Sequence, residues 1–111
     1  MKLRLEISGQ AFNIYAIVLD DGTCPFSEFD RRLKRDDVAS HKSLINTLKR
    51  HADFGPITNN KKSRKIEQHE NLWEFKTRQG DRLLYFYLPG RRTVLIHGFH
   101  KGAPANAEFA K

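Results

Sequence analysis

At 111 residues, 39% of them hydrophobic and 30% charged, the chain is long enough for one compact core and too short for two. This composition excludes a disordered chain, and no segment approaches the roughly 18 consecutive apolar residues of a membrane span. Lys and Arg number 20 against 13 Asp and Glu, a net charge of +7 that suits a polyanionic partner, although basic charge alone leaves an ordinary soluble surface equally open.

A single domain over residues 1–111 is therefore expected, in the cytoplasm and off the membrane, because the charged N-terminus lacks the apolar stretch of a signal peptide. Cys24 is the one cysteine, so it cannot form an intramolecular disulfide. Its place beside Pro25 reads as structural rather than nucleophilic.

Leu3, Leu5 and Ile7 alternate with charged residues, which predicts a strand with those three buried. Ser8-Gly9-Gln10 signals a turn, and residues 12–19 form a second β-prone run. Pro25 suits the first turn of a helix with Phe26, Phe29 and Leu33 on one face. Asp36 or Asp37 can cap a second helix, with Val38, His41, Leu44, Ile45, Leu48 and Ala52 as its apolar stripe and Gly55-Pro56 as its stop.

Residues 57–64 make a polar, basic loop. Its simpler reading is a solvated connector; the other is a phosphate-contacting loop acting through Lys61 and Lys62. From Lys65 the pattern is a β-meander, with strands over 65–69, 72–78, 82–88 and 93–99, and residues 103–111 suggest a short terminal helix. Strands, then two helices, then more strands predict an α+β domain. Both helices should pack on one face of an antiparallel, twisted sheet and leave the other face free to bind.

A two-residue turn at Gln79-Gly80 would pair Phe75 with Leu84 and Trp73 with Phe86 on the core side. Lys76, Arg78 and Tyr85 would then share the opposite face, where cations meet phosphates and a ring stacks on a base. A three-residue loop over 89–91 pairs Phe86 with Val94 and puts His97 on that same face. A four-residue loop would bury His97 as a core histidine; the first register is preferred because it buries Val94 and Ile96. Arg82, His97, His100 and Lys101 fall near one another at strand ends. Histidines can move protons and Arg or Lys can hold a phosphate, as RNA cleavage requires. No grouping of His, Cys, Asp and Glu has metal-ligand spacing, so neither metal nor cofactor is expected.

These residues carry a family likeness. Leu72-Trp73-Glu74-Phe75-Lys76, then Arg82-Leu83-Leu84-Tyr85, then residues 94–101 (VLIHGFHK) resemble the C-terminal half of the RelE/ParE toxin superfamily. The likeness is greatest to its HigB-like branch, which includes phage Gp49-like proteins. The resemblance implies a RelE-like fold and the toxin of a type II toxin–antitoxin pair. Such a toxin cuts mRNA on the translating ribosome without metal, leaves a 2′,3′-cyclic phosphate, and is held by a cognate helix-turn-helix antitoxin. It implies a phosphate-stabilising role for Arg82 and catalytic positions for His97 and Lys101. His100 stands in place of the first of two lysines, and Lys76 where the family often has Arg. The ParE branch shares the fold but inhibits gyrase, so a non-nuclease toxin or an inactive phage-type RNA-binding protein is the alternative.

Overall fold

A computed structural model of the protein describes residues 1–101. The helix expected over residues 103–111 lies outside them. Two strands, β1 (Lys2–Ser8) and β2 (Asn13–Val18), precede two helices, α1 (Pro25–Asp36) and α2 (Val38–Phe54). Four more strands follow: β3 (Ser63–Lys65), β4 (Trp73–Lys76), β5 (Asp81–Leu88) and β6 (Arg92–His100). Six strands form one sheet in the order β1-β2-β6-β5-β4-β3, and the helices pack on one face of it. The architecture is the α+β arrangement expected of a RelE-like fold. No helix among the described residues is long and apolar enough to cross a membrane.

The sheet is mixed rather than wholly antiparallel, because β2 and β6 run parallel, with Ile14 opposite Thr93 and Ala16 opposite Leu95. Local hairpins are written in turn residues. This pairing joins the two ends of the chain and has no local signal.

Pro25 opens α1, where its fixed φ suits a helix and its missing N–H costs nothing. Phe26, Phe29 and Leu33 are buried as the spacing predicts. The Phe29 ring lies flat against Gly98 of β6, and a Cβ there would come within 2.5 Å of it. Glycine at position 98 therefore lets α1 approach the sheet. Cys24, just before α1, is buried and unpaired.

Asp37 caps α2 by accepting the Ser40 N–H at 3.0 Å, and Gly55, at φ 95°, ends it. The buried face of α2 differs from the apolar stripe. Val38 is exposed and His41 instead meets Asp30 of α1 at 2.8 Å, while Ser40, Thr47 and His51 are buried. Each of these three polar groups has found a partner: Ser40 with Asp81, Thr47 with the Ser43 carbonyl, His51 with Thr93. A pattern of hydrophobicity cannot anticipate such pairs.

The expected burial of Leu3 and Leu5 is corrected. Both lie on the sheet face away from the helices, opposite Ile17 and Tyr15, and are 38% and 51% exposed. A bulge between Leu5 and Ile7 then turns Ile7 to the helix side, opposite Ile14. The strand expected over 65–69 is shifted upstream to Ser63–Lys65, since a turn closed by Ile66 N–H to the Leu72 carbonyl already begins there.

Candidate nucleic-acid interface

The geometry of the site follows from one turn. Between β4 and β5 the loop has three residues, Arg78, Gln79 and Gly80. Thr77 N–H donates to the Asp81 carbonyl at 3.0 Å, and Gly80 N–H to the Thr77 carbonyl at 3.2 Å. Gly80 closes the loop at φ 104°, a conformation other residues rarely adopt. The expected two-residue turn is thus wrong by one position, and one position exchanges the faces of β5. Phe75 pairs with Leu83, Trp73 with Tyr85, and Lys76 with Arg82.

Tyr85 is the casualty. It was expected on the open face as a stacking platform, yet it is 1% exposed on the helix side. Its ring stacks on Phe75 at 4.0 Å and its hydroxyl meets Ser63 Oγ at 2.6 Å. Burial pushes this phenol above its ordinary pKa. Arg82 gains what Tyr85 loses, since the same slip brings it to the open face beside Lys76.

Polar bonds lock the turn. The Asp81 carboxylate lies 2.7 Å from Ser40 Oγ, 3.0 Å from Thr77 Oγ1 and 3.1 Å from His100 Nδ1. Burial alone would raise this acid, but the hydrogen bonds from Ser40, His100 and Thr77 outweigh it and hold Asp81 below its ordinary pKa.

Five cations converge beside this turn. Lys61, Lys62, Lys76, Arg78 and Arg82 line one groove of about 630 Å³, together with Ser43, Asn59, Thr77 and Gln79. No lining residue among those described is acidic. The 57–64 loop, which could have been a solvated connector, is tied down. Its Asn59 side chain accepts the Lys61 N–H at 2.9 Å, and its Lys62 carbonyl accepts the Lys76 N–H at 2.8 Å. Lys61 and Lys62 are therefore presented by a fixed backbone, not by a free loop.

Glu74 was not among the expected site residues, yet it sets the position of Arg82. It is buried on the open-face side of β4, 3.0 Å from Arg64 and 3.5 Å from Arg82. The Arg82 guanidinium also donates to the Asp81 carbonyl at 3.2 Å. Its alternation with Lys76 along β4 is the sequence signal that could have marked Glu74. Its effect on Arg82 needed the register.

The two histidines separate. His100 pairs across from Asp81 and bonds its carboxylate on the helix side, against a small cavity bounded by Phe29, Arg32 and Leu33. Neither it nor His97 or Lys101 lines the cationic groove. His97 stays on the open face. A bulge in the β5–β6 pairing puts Leu83 opposite Gly98 and Arg82 opposite Phe99. His97, two residues before Phe99 and 6.3 Å from it ring to ring, is thus the diagonal neighbour of Arg82. Such neighbours stand roughly 7–8 Å apart. Lys101 flanks the turn, its N–H donating to the Gly80 carbonyl at 2.7 Å, and is exposed.

The arrangement can hold a chain of phosphates. Five positive charges gathered from a tied-down loop, two strands and a turn repel one another until an anion enters, and a buried carboxylate orients one of the two arginines. Comparison with known proteins gives a family: residues 31–107 match the model of the phage-derived protein Gp49-like family (DUF891). No curated protein matches the chain. A match over more than half of the chain, on a fold of the expected class, means that the chain belongs to the Gp49-like family, which is RelE-like and toxin-like.

Proposed function

We propose that this protein is the toxin of a type II toxin–antitoxin pair, of the HigB-like kind. In this reading residues 1–111 form a single domain that cuts mRNA on the translating ribosome without a metal ion. The observation that supports it best is the cationic groove, where five Lys and Arg side chains from a loop, two strands and a turn meet with no acid lining it among the described residues. RNA is the polyanion whose cleavage by its own 2′-hydroxyl such a site can promote with its side chains.

The chemistry divides among the residues as follows. The 2′-oxygen attacks the neighbouring phosphorus, a 2′,3′-cyclic phosphate forms, and the bond to the 5′-oxygen breaks. Arg82, braced by Glu74, and its cross-strand partner Lys76 stabilise the charge gathering on the non-bridging oxygens. Lys61, Lys62 and Arg78 hold flanking phosphates. His97, diagonal to Arg82, exchanges one of the two protons, taken from the 2′-hydroxyl or given to the 5′-oxygen, and solvent water exchanges the other. Lys101 adds positive charge beside the turn. His100 acts at one remove, as a positioning residue that holds Asp81 and hence the turn. The partner is a cognate helix-turn-helix antitoxin, and the place of action is the cytoplasm, where ribosomes are.

The test is induced expression in bacteria with mapping of transcript 5′ ends. New ends inside translated messages, relieved by the neighbouring antitoxin, are expected. Growth arrest with intact messages and DNA damage signalling would instead mean a gyrase-directed toxin.

A further inference from the structure

We infer that the cavity adjoining the cationic groove, at the C-terminal end of α2, receives an unpaired nucleobase of the RNA strand whose phosphates lie in the groove; this rests on the RNA reading above. The second cavity measures about 680 Å³, within the roughly 300–1,000 Å³ range of ligand pockets. It shares Ser43, Asn59 and Lys62 with the groove, so the two are continuous.

The chemistry changes across that shared wall. The groove carries five cations. The cavity carries two, Arg50 and Lys62, and adds what the groove lacks, Phe54, Pro56 and Ile57 as apolar surface, beside the amides of Asn46 and Asn59. Phe54 is 79% exposed, and the Arg50 guanidinium stands over its ring, 5.9 Å from the centroid. An aromatic ring left in water beside an arginine is a stacking platform, and every base has a face to lay on it. Asn59 Oδ1 already accepts from Lys61, which leaves its amide nitrogen to donate to a base edge. The carbonyl end of α2 carries negative partial charge. It favours the N–H groups of a base here. Phosphates in the groove and a base in the cavity therefore divide one nucleotide strand between them.

The experiment measures fluorescence anisotropy of the purified full chain with a short labelled single-stranded RNA, free of ribosomes. A second probe of the same length carries abasic sugars throughout. Phe54→Ala should weaken binding of the ordinary strand about tenfold and leave the abasic strand unchanged, and Phe54→Tyr should restore the ordinary strand. Lys76→Ala should weaken both strands alike. Because Phe54 is exposed, Phe54→Ala should keep the melting temperature of the parent. If Lys76→Ala weakens binding but Phe54→Ala does not, or does so equally for both strands, the base subsite is overturned while the RNA reading stands. If the unaltered protein binds neither strand, the groove does not hold RNA by its own charges and the subsite is overturned with it.

Discussion

The buried histidine of α2 makes the protein acid-sensitive in a way that can be calculated. His51 is fully buried among Phe12, Phe75, Tyr85 and Tyr87. Its Nε2 lies 2.8 Å from Thr93 Oγ1, and its Nδ1 has no hydrogen-bond partner among the described residues. Burial lowers its pKa to about 4 from the usual 6.5. The folded state therefore keeps the ring neutral while the unfolded chain protonates it. The stability contributed by the neutral ring is full above the unfolded value and is lost as pH falls from about 6.5 toward about 4. Between pH 7 and pH 5 the loss is about 2 kcal/mol, a sizeable share of the roughly 5–15 kcal/mol of a small domain. Urea titrations at the two pH values measure it. His51→Gln can still reach Thr93 but cannot titrate, so its stability should change much less over that interval, even if it starts lower. An equal pH dependence in both proteins would refute the burial argument.

Three further outcomes follow from the packing and the register. Gly98→Ala should cost roughly 1–3 kcal/mol by forcing Phe29 of α1 off the sheet, read as a lower melting temperature, and Phe29→Leu in the same chain should recover part of it. Tyr85→Phe should lose about 1 kcal/mol with the Ser63 hydrogen bond yet leave growth arrest intact, because the ring is buried on the helix side of the sheet. Lys62→Ala should lower the slope of log binding constant against log salt by about 0.7 for single-stranded RNA, one phosphate contact's worth, which titrations at several salt concentrations will show.

Much of this architecture was legible residue by residue. The face of α1, the cap and stop of α2, and the three-residue loop that pairs Phe86 with Val94 all follow from side chains acting on their near neighbours. Where long-range partners decide, the pattern misleads. Gln79-Gly80 looks like a two-residue turn, but Gly80 serves as the third residue of a longer one, and that slip sent Tyr85 inward and Arg82 outward. His97 keeps its expected face for a different reason. The slip at the first hairpin and the bulge in the second each exchange faces, and the two changes cancel. The cations were recognisable by type, but their convergence was not. Lys61 and Lys62 meet Lys76 through a backbone bond between a loop and a strand. Glu74, one of several acids in this stretch, acquires meaning only when Arg64 and Arg82 close on it.

In the proposed function Arg82, set by Glu74 at the edge of a cationic groove, stabilises the transition state of RNA cleavage. Mapping of transcript 5′ ends after induction of the parent protein and of Arg82→Ala, with equal expression and melting temperature confirmed for both, tests it most directly. New ends within translated messages are expected for the parent and none for Arg82→Ala. The same ends at the same frequency in both would contradict it.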